Sequence, residues 1–290
     1  MYDLDHEAYH ADPVAGGSLS STGARLLLPP SCPAKFRFVR DHGEAPRKAW
    51  DFGSVAHLLA LGAGPSYRLI EGGGGPDGDQ WNTKVAKANV EAARAAGEIP
   101  VKQADLDTAQ AMVAALRDDP VAGPLFTPGR GTPEASIIWQ DKASSVWCRS
   151  RPDWLPDTDP DTGRLVLIEY KTAASVDGDT LQRAAYDHGY HVQAWWLTEA
   201  ARAVGLSPAP NIVFVFQEKD PPFLVSVREP TDRFLNLGGI MARRALDIYA
   251  QCTAAELWPG YAADPDGIDE IKWLDLPPWV IRAWGEEIER

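Results

Sequence analysis

The spacing of apolar residues changes near Glu134, and that change limits the fold more than any other feature of the chain. Before it, apolar positions recur at helical intervals, as in Trp50-Asp51-Phe52-Gly53-Ser54-Val55-Ala56-His57-Leu58-Leu59-Ala60-Leu61. After it they alternate, first over residues 134–139 and then over 145–151, with 140–144 as the turn between them. A period near 3.6 puts one face of a helix on a core, and a period of two does the same for a strand. The chain is therefore expected to lay down helices first and then a sheet for helices to cover.

The remaining elements follow from local punctuation. Ser18-Leu19-Ser20-Ser21-Thr22 offers hydroxyl caps to a short helix over residues 23–28, which Pro29-Pro30 stops. The run Glu71-Gly72-Gly73-Gly74-Gly75-Pro76-Asp77-Gly78 has too few side chains for a core element and reads as a loop. Residues 82–96 and 104–117 are alanine-rich scaffold helices. A polar loop at 157–163 precedes the apolar strand 164–168, which ends in Glu169-Tyr170-Lys171. That strand and the two before it are expected to be neighbours in one sheet. A helix over 180–205, interrupted near Gly189, should cover the sheet. A strand at 211–217 then pairs with 223–227, and a helix spans 231–250.

The fold class is therefore α/β: a mixed central β-sheet flanked by helices, with an N-terminal helical region and a C-terminal helical tail. One domain is expected over residues 1–230, with N-terminal helices at 18–62, a helical insert at 80–118 and the sheet with its helix at 134–227. Residues 231–290 add a helix and a tail containing Trp258, Trp273, Trp279 and Trp284. Glu286, Glu287 and Glu289 beside these rings repel phosphate, so the tail is expected to pack on the domain or on a neighbouring subunit rather than on bases.

Charge and cysteine content narrow the function. The chain carries 28 Lys+Arg against 41 Asp+Glu, a net −13, which argues against coating nucleic acid by bulk electrostatics. Any contact with nucleic acid must be local. One positive island exists, where Arg25, Lys35, Arg37, Arg40, Arg47 and Lys48 face only Asp41 and Glu44. Cys32, Cys148 and Cys252 are far apart and odd in number, which excludes a disulfide framework and a four-thiolate site. With no long apolar run and a polar, acidic start, the expectation is a cytoplasmic protein with no membrane segment.

The chemistry concentrates in Arg151-Pro152-Asp153 and, further on, Glu169-Tyr170-Lys171. Along a strand Glu169 and Lys171 share one face and Tyr170 points away, and Arg151 and Asp153 share a face too if extended pairing reaches Pro152. A hairpin-like connection would set Asp153 beside Glu169. Two carboxylates and an ammonium buried together need compensation, and a hard divalent cation, Mg²⁺ or Mn²⁺, provides it. Lys171 would then either take a proton from the attacking water or stay charged beside a phosphate. Taken alone, Glu-x-Lys is also an ordinary ion pair on an exposed strand.

The order Gly53-x-x-x-His57, Pro152-Asp153, Glu169-x-Lys171 and Gln193 resembles the PDDEXK nuclease superfamily. It is most similar to its RecE (exodeoxyribonuclease VIII) and phage lambda-type exonuclease branch, over residues 18–225. Leu19-Ser20-Ser21, Ser31-Cys32-Pro33-Ala34-Lys35-Phe36, Glu134-Ala135-Ser136 and Tyr190-His191-Val192-Gln193-Ala194 add to the likeness. The resemblance implies that His57, Asp153, Glu169 and the backbone carbonyl of Tyr170 ligate a metal, and that Glu134 reaches a second ion. It gives Lys171 the attacking water and Gln193 the scissile phosphate or a water. Two Mg²⁺ ions per site, replaceable by Mn²⁺, are implied, and the cysteine count excludes the branch that carries an iron–sulfur cluster. Arg25 and Arg151 are the candidate phosphate contacts, with Arg151 also able to neutralise the carboxylates.

One departure from the family pattern stands out. The fourth residue after Gln193 is Leu197, where the related motif carries a tyrosine. The implied activity is exonucleolytic hydrolysis at linear double-stranded DNA ends, 5′ to 3′, in a bacterial or phage-infected cell. It would leave 3′ single strands for recombination by an annealing protein, from a ring-shaped homo-oligomer. The alternatives are a structure- or single-strand-specific endonuclease on the same fold, or a catalytically silent protein that binds DNA ends.

Overall fold

The structure is a computed structural model that describes residues 2, 4–43, 48–72, 80–157, 163–261, 271 and 273–288. Most of the glycine-rich loop at 71–78 and of the polar loop at 157–163 lies outside the described residues, as do Glu44, Arg47 and Glu289.

The first half is helical: α1 (His6–His10), α2 (Ser21–Leu27), α3 (Pro33–His42) and α4 (Lys48–Leu61). Next come β1 (Tyr67–Leu69), α5 (Lys84–Ala95), β2 (Ile99–Val101) and α6 (Gln103–Asp118). The sheet region holds β3 (Gly131–Pro133), β4 (Ile137–Gln140), β5 (Trp147–Ser150), β6 (Trp154–Pro156) and β7 (Val166–Ala173). The chain continues through α7 (Gly178–Asp187), α8 (Tyr190–Ala203), β8 (Asn211–Glu218), β9 (Val225–Arg228), α9 (Asp232–Ala255) and α10 (Pro278–Ile288). Ser20 caps α2 through the Gly23 amide, as its hydroxyl predicts. Among the described residues no helix is long and apolar enough to cross a membrane.

The central sheet is mixed, in the order β3-β6-β7-β8-β9. β7 lies in its middle, antiparallel to β6 and parallel to β8, with Glu169 opposite Phe214 and Lys171 opposite Phe216. Parallel neighbours need a crossover connection, and α7 with α8 supplies it. The break between these helices is Gly189, at φ 70°. A Cβ there would displace the flexible Arg25 side chain, but it is the backbone angle that favours glycine.

One expectation is corrected. The hairpin at 134–151 is not part of the central sheet; β4 and β5 form their own two-stranded ladder, with Ile137 opposite Ser150. Pro152, between β5 and β6, has no N–H to continue a ladder, so the chain leaves one sheet there and enters the other. The N-terminal segment also takes the other edge of β5, where the Leu19 N–H donates to Trp147 O (2.8 Å) and Leu19 O accepts from Arg149 N (2.9 Å).

Alternation along β7 divides the core. Leu167 packs with Phe214, Phe216 and Leu197 on the side of α8, whereas Ile168 and Tyr170 pack with Trp154, Phe126 and Leu116 on the other. Glu169 and Lys171 therefore face α8. The tail splits: Trp258 stacks on Phe36 at 5.4 Å, but Trp273, Trp279 and Trp284 are exposed, so the expected packing on the domain holds for Trp258 and not for these three.

Beneath the sheet, fully buried Gln217 accepts from the Tyr170 hydroxyl (2.6 Å) and donates to Met112 O (2.8 Å) and Phe223 O (3.3 Å). Gln217→Leu strands all three partners in the core. Its unfolding free energy in urea is expected to fall by about 2–4 kcal/mol.

Candidate active site

Three elements and two loop residues converge on the face of β7. β7 supplies Glu169 and Lys171, the approach to β6 supplies Asp153, α4 supplies His57 and α8 supplies Gln193. Glu134, just before β4, adopts a left-handed φ of 49° and donates its N–H to Asp153 O (3.1 Å), which ties its backbone to the approach to β6.

The contacts form a closed set. Glu169 has no exposed surface; its Oε2 accepts from Lys171 Nζ (2.6 Å) and Gln193 Nε2 (2.5 Å), and its Oε1 faces the Asp153 N–H at 3.3 Å. Asp153 Oδ2 accepts from the Tyr170 N–H (2.8 Å) and Lys171 Nζ (3.2 Å). His57 Nε2 lies 3.1 Å from Asp153 Oδ1, and its Nδ1 lies 3.5 Å from Glu134 Oε1. The Tyr170 ring points to the opposite side of the sheet, as strand alternation requires.

Burial sets the electrostatics. Desolvation, then the Asp153 charge, pushes the Glu169 carboxyl up to about 7. Burial alone would raise Asp153 as well, but the charges of Lys171 and His57 hold it well below the usual carboxylate range. For His57, burial is outweighed by the charge and hydrogen bond of Asp153, and its pKa is raised. Lys171 is likewise raised, because its two carboxylate partners overcome the desolvation of its ammonium. Of the two roles open to Lys171, this environment favours the charged one.

The donor chemistry fits a hard divalent cation: the buried Glu169 carboxylate, the half-buried Asp153 and Glu134 carboxylates and an imidazole, with the Tyr170 backbone beside them. Among the described residues, however, no three His, Cys, Asp or Glu side chains form a ready metal cage. Lys171 accounts for this, since its ammonium lies between Asp153 and Glu169 and supplies their positive charge.

Two expected contacts sit differently. Arg151 spends its guanidinium on Glu134 O (2.8 Å), Leu4 O (3.0 Å), Asp5 O (3.2 Å) and the Glu134 carboxylate (3.1 Å), so it neutralises a carboxylate rather than presenting an open fork to phosphate. Arg25 is exposed on α2, with its stem against Gly189 at the start of α8 and its Nη2 3.5 Å from Asp187 O. The sequence reading missed the N-terminal residues His6, Tyr9, His10 and Asp12, which line the same cleft. His6-x-x-x-His10 behind the capping residue Asp5 was the available signal, because positions i and i+4 share a helix face.

The cleft has a volume of about 1560 Å³ and runs from α1 and α2 past Glu134, Asp153 and Lys171 to Tyr190 and Gln193. Small-molecule sites occupy roughly 300–1000 Å³, so this one is sized for a longer ligand. No family model matches the chain, and no curated protein matches it by sequence. A solved structure of a candidate exonuclease from Eubacterium rectale superposes with a TM-score of 0.61, at 12% identity, over 98% of each chain. The two proteins share a fold. A second solved structure covers 81% of this chain and 95% of its own at 12% identity, but its TM-score of 0.30 is too low to bear on the fold.

The raised Glu169 carboxyl has a consequence for stability. Between its ordinary value of 4.5 and about 7, the folded protein holds a proton that the unfolded chain has released, so this group's contribution declines as pH rises through that window. Glu169→Gln removes the dependence. In EDTA, the melting temperature of the variant relative to the native protein is expected to rise from pH 4.5 to 7 and to level off above, measured by scanning fluorimetry.

Proposed function

We propose that the protein is a PDDEXK-type, Mg²⁺-dependent deoxyribonuclease, an exonuclease that hydrolyses phosphodiester bonds at linear double-stranded DNA ends. The observation that carries this reading is the set of Asp153, Glu169, Lys171 and Gln193 around a central strand, open to a cleft of about 1560 Å³, larger than most small-molecule sites. The name of the Eubacterium rectale neighbour supports it in kind.

His57, Asp153, Glu169 and the Tyr170 carbonyl would hold one Mg²⁺ (or Mn²⁺), with Glu134 and Asp153 toward a second. When bound, the metal supplies Lewis-acid activation of water and of the phosphate. This chain's own side chains do the rest. Lys171, held protonated by its carboxylate neighbours, steadies the charge that builds on the phosphate during attack. Gln193 donates from α8 to Glu169, fixing the carboxylate, and its amide lines the cleft where a phosphate or water is oriented. Buried Glu169, once deprotonated, adds the negative charge that a divalent cation offsets. The 5′-to-3′ direction, the annealing partner, the ring-shaped oligomer and the cytoplasmic setting extend this reading through the RecE and lambda-type resemblance.

The test uses linear and closed circular duplexes, each 5′ and 3′ end separately labelled, with Mg²⁺ or EDTA. Native protein is expected to release label from 5′ ends of the linear form only, and only with Mg²⁺. Lys171→Ala should reduce the rate by about 10²–10³-fold. Cleavage of circles would replace the exonuclease by an endonuclease, and retention of linear DNA without cleavage would leave an end-binding protein.

A further inference from the structure

Residues 4–18 cross the face of the candidate site and are fastened to it at several points, as is Tyr2. The Tyr2 N–H donates to Ser136 O (2.9 Å). Leu4 O and Asp5 O accept from Arg151, and Asp5 caps α1 through the Ala8 N–H (2.7 Å). Tyr9 is buried with its ring 5.1 Å from the Arg151 guanidinium and 5.7 Å from that of Arg149. Asp12, at φ 58°, accepts from the Ser18 N–H and hydroxyl (both 2.7 Å) and pairs with Arg149 (2.8 Å). A five-residue helix does not persist by itself in water, so these contacts are what make α1 a helix.

The fastening aims two side chains. His6 and His10, with ring centroids 4.3 Å apart, line the same cleft as Asp153, Lys171 and Gln193. His6 Nδ1 lies 3.9 Å from Glu134 Oε2. Both atoms are buried; Glu134 Oε2 is paired with Arg151 (3.1 Å), whereas His6 Nδ1 has no hydrogen-bond partner, which is rare for a polar group in a folded protein. The His6 side chain is nonetheless 42% exposed, so its opposite edge is open to the cleft.

We infer that residues 4–18 form one wall of the nucleic-acid site, that His6 and His10 contact the sugar–phosphate backbone of the strand in the cleft, and that Arg151 is a positioning residue that holds them there. This rests on the nuclease reading above. Glu134 fixes the Nδ1 edge of His6, and the other edge meets the ligand. Arg151 acts through the chain it clamps: its planar fork serves two backbone carbonyls of the segment and Glu134 together, which the single point charge of a lysine does not reproduce.

The test is steady-state cleavage of an end-labelled duplex by full-length native protein, the His6→Ala/His10→Ala double variant, the conservative His6→Asn/His10→Gln pair, Arg151→Ala and Arg151→Lys. Melting temperature and binding of the same duplex in EDTA, by anisotropy, are measured in parallel. The alanine pair is expected to raise KM and the EDTA dissociation constant about tenfold, with kcat within about twofold and the melting temperature unchanged. The Asn/Gln pair should recover most of the loss. Both Arg151 variants should reproduce the KM change and make the N-terminal segment sensitive to limited proteolysis. An unchanged KM and dissociation constant in the alanine pair overturn the inference while the nuclease reading stands. If the alanine pair melts early, an Asn/Gln pair that is stable yet equally weak in binding overturns it too. If native protein neither binds nor cuts DNA, the nuclease reading itself has failed.

Discussion

A carboxylate with no exposed surface, in the middle of a sheet, is the interaction on which the rest of this structure depends. Isolated, a buried Glu169 would cost several kcal/mol as an anion. The fold answers with three donors, the Asp153 N–H, the Lys171 ammonium and the Gln193 amide. Each comes from a different constraint. Lys171 is fixed by strand periodicity, Asp153 by the antiparallel entry of β6, and Gln193 by the Gly189 break that sets the start of α8. Lose the register of any one and Glu169 is left partly unpaired.

The site is therefore assembled by topology. β7 is flanked by an antiparallel neighbour that arrives through Pro152 and a parallel neighbour that arrives through two helices, so chain from both directions ends at one edge. Pro152 matters twice, since it ends the β4–β5 ladder and releases Asp153 toward Glu169. The net charge of −13 is compatible with a nucleic-acid site because cations are concentrated locally, with Arg40, Arg149, Arg151, Lys171 and Lys219 all on the cleft. Arg149 and Arg151 are partly spent on Asp12 and Glu134, so the cleft is less positive than a count of its arginines suggests.

The legible parts were those governed by short-range periodicity. Alternation along 166–173 gave the shared face of Glu169 and Lys171, the capping hydroxyl of Ser20 gave α2, and Gly189 gave the helix break. The parts that stayed hidden depend on contacts distant in sequence. The β4–β5 ladder was assigned to the central sheet because alternation shows that a segment is a strand without showing its partner. β1 and β2, a parallel pair of three residues each, are too short to carry a period. The N-terminal helix is likewise too short to carry a period, and contacts far along the chain, at Ser136, Arg149 and Arg151, help to place it. The Arg151 side chain illustrates the limit: β5 ends at Ser150 and β6 starts at Trp154, so no strand pairing reaches Pro152 to set its side, and its partners, Leu4 and Asp5, lie more than 140 residues away.

The departure at Leu197 has a structural explanation on the same helix. Leu197 is buried with Leu181, Ala201 and Phe214, where a tyrosine hydroxyl would need a partner in an apolar cluster. An aromatic ring beside Lys171 comes instead from Tyr190, three residues before Gln193 and so on the same helix face. Its ring stacks on Phe214 at 5.6 Å, and Lys171 Nζ lies 5.9 Å from its centroid, at the outer limit of a cation–π contact. Placed before the glutamine rather than after it, an aromatic can still reach the ammonium, because i−3 and i+4 are both neighbours of i on a helix. A motif read as a string is thus narrower than the geometry it stands for, and at 12% identity to a protein of the same fold the geometry is the more informative of the two.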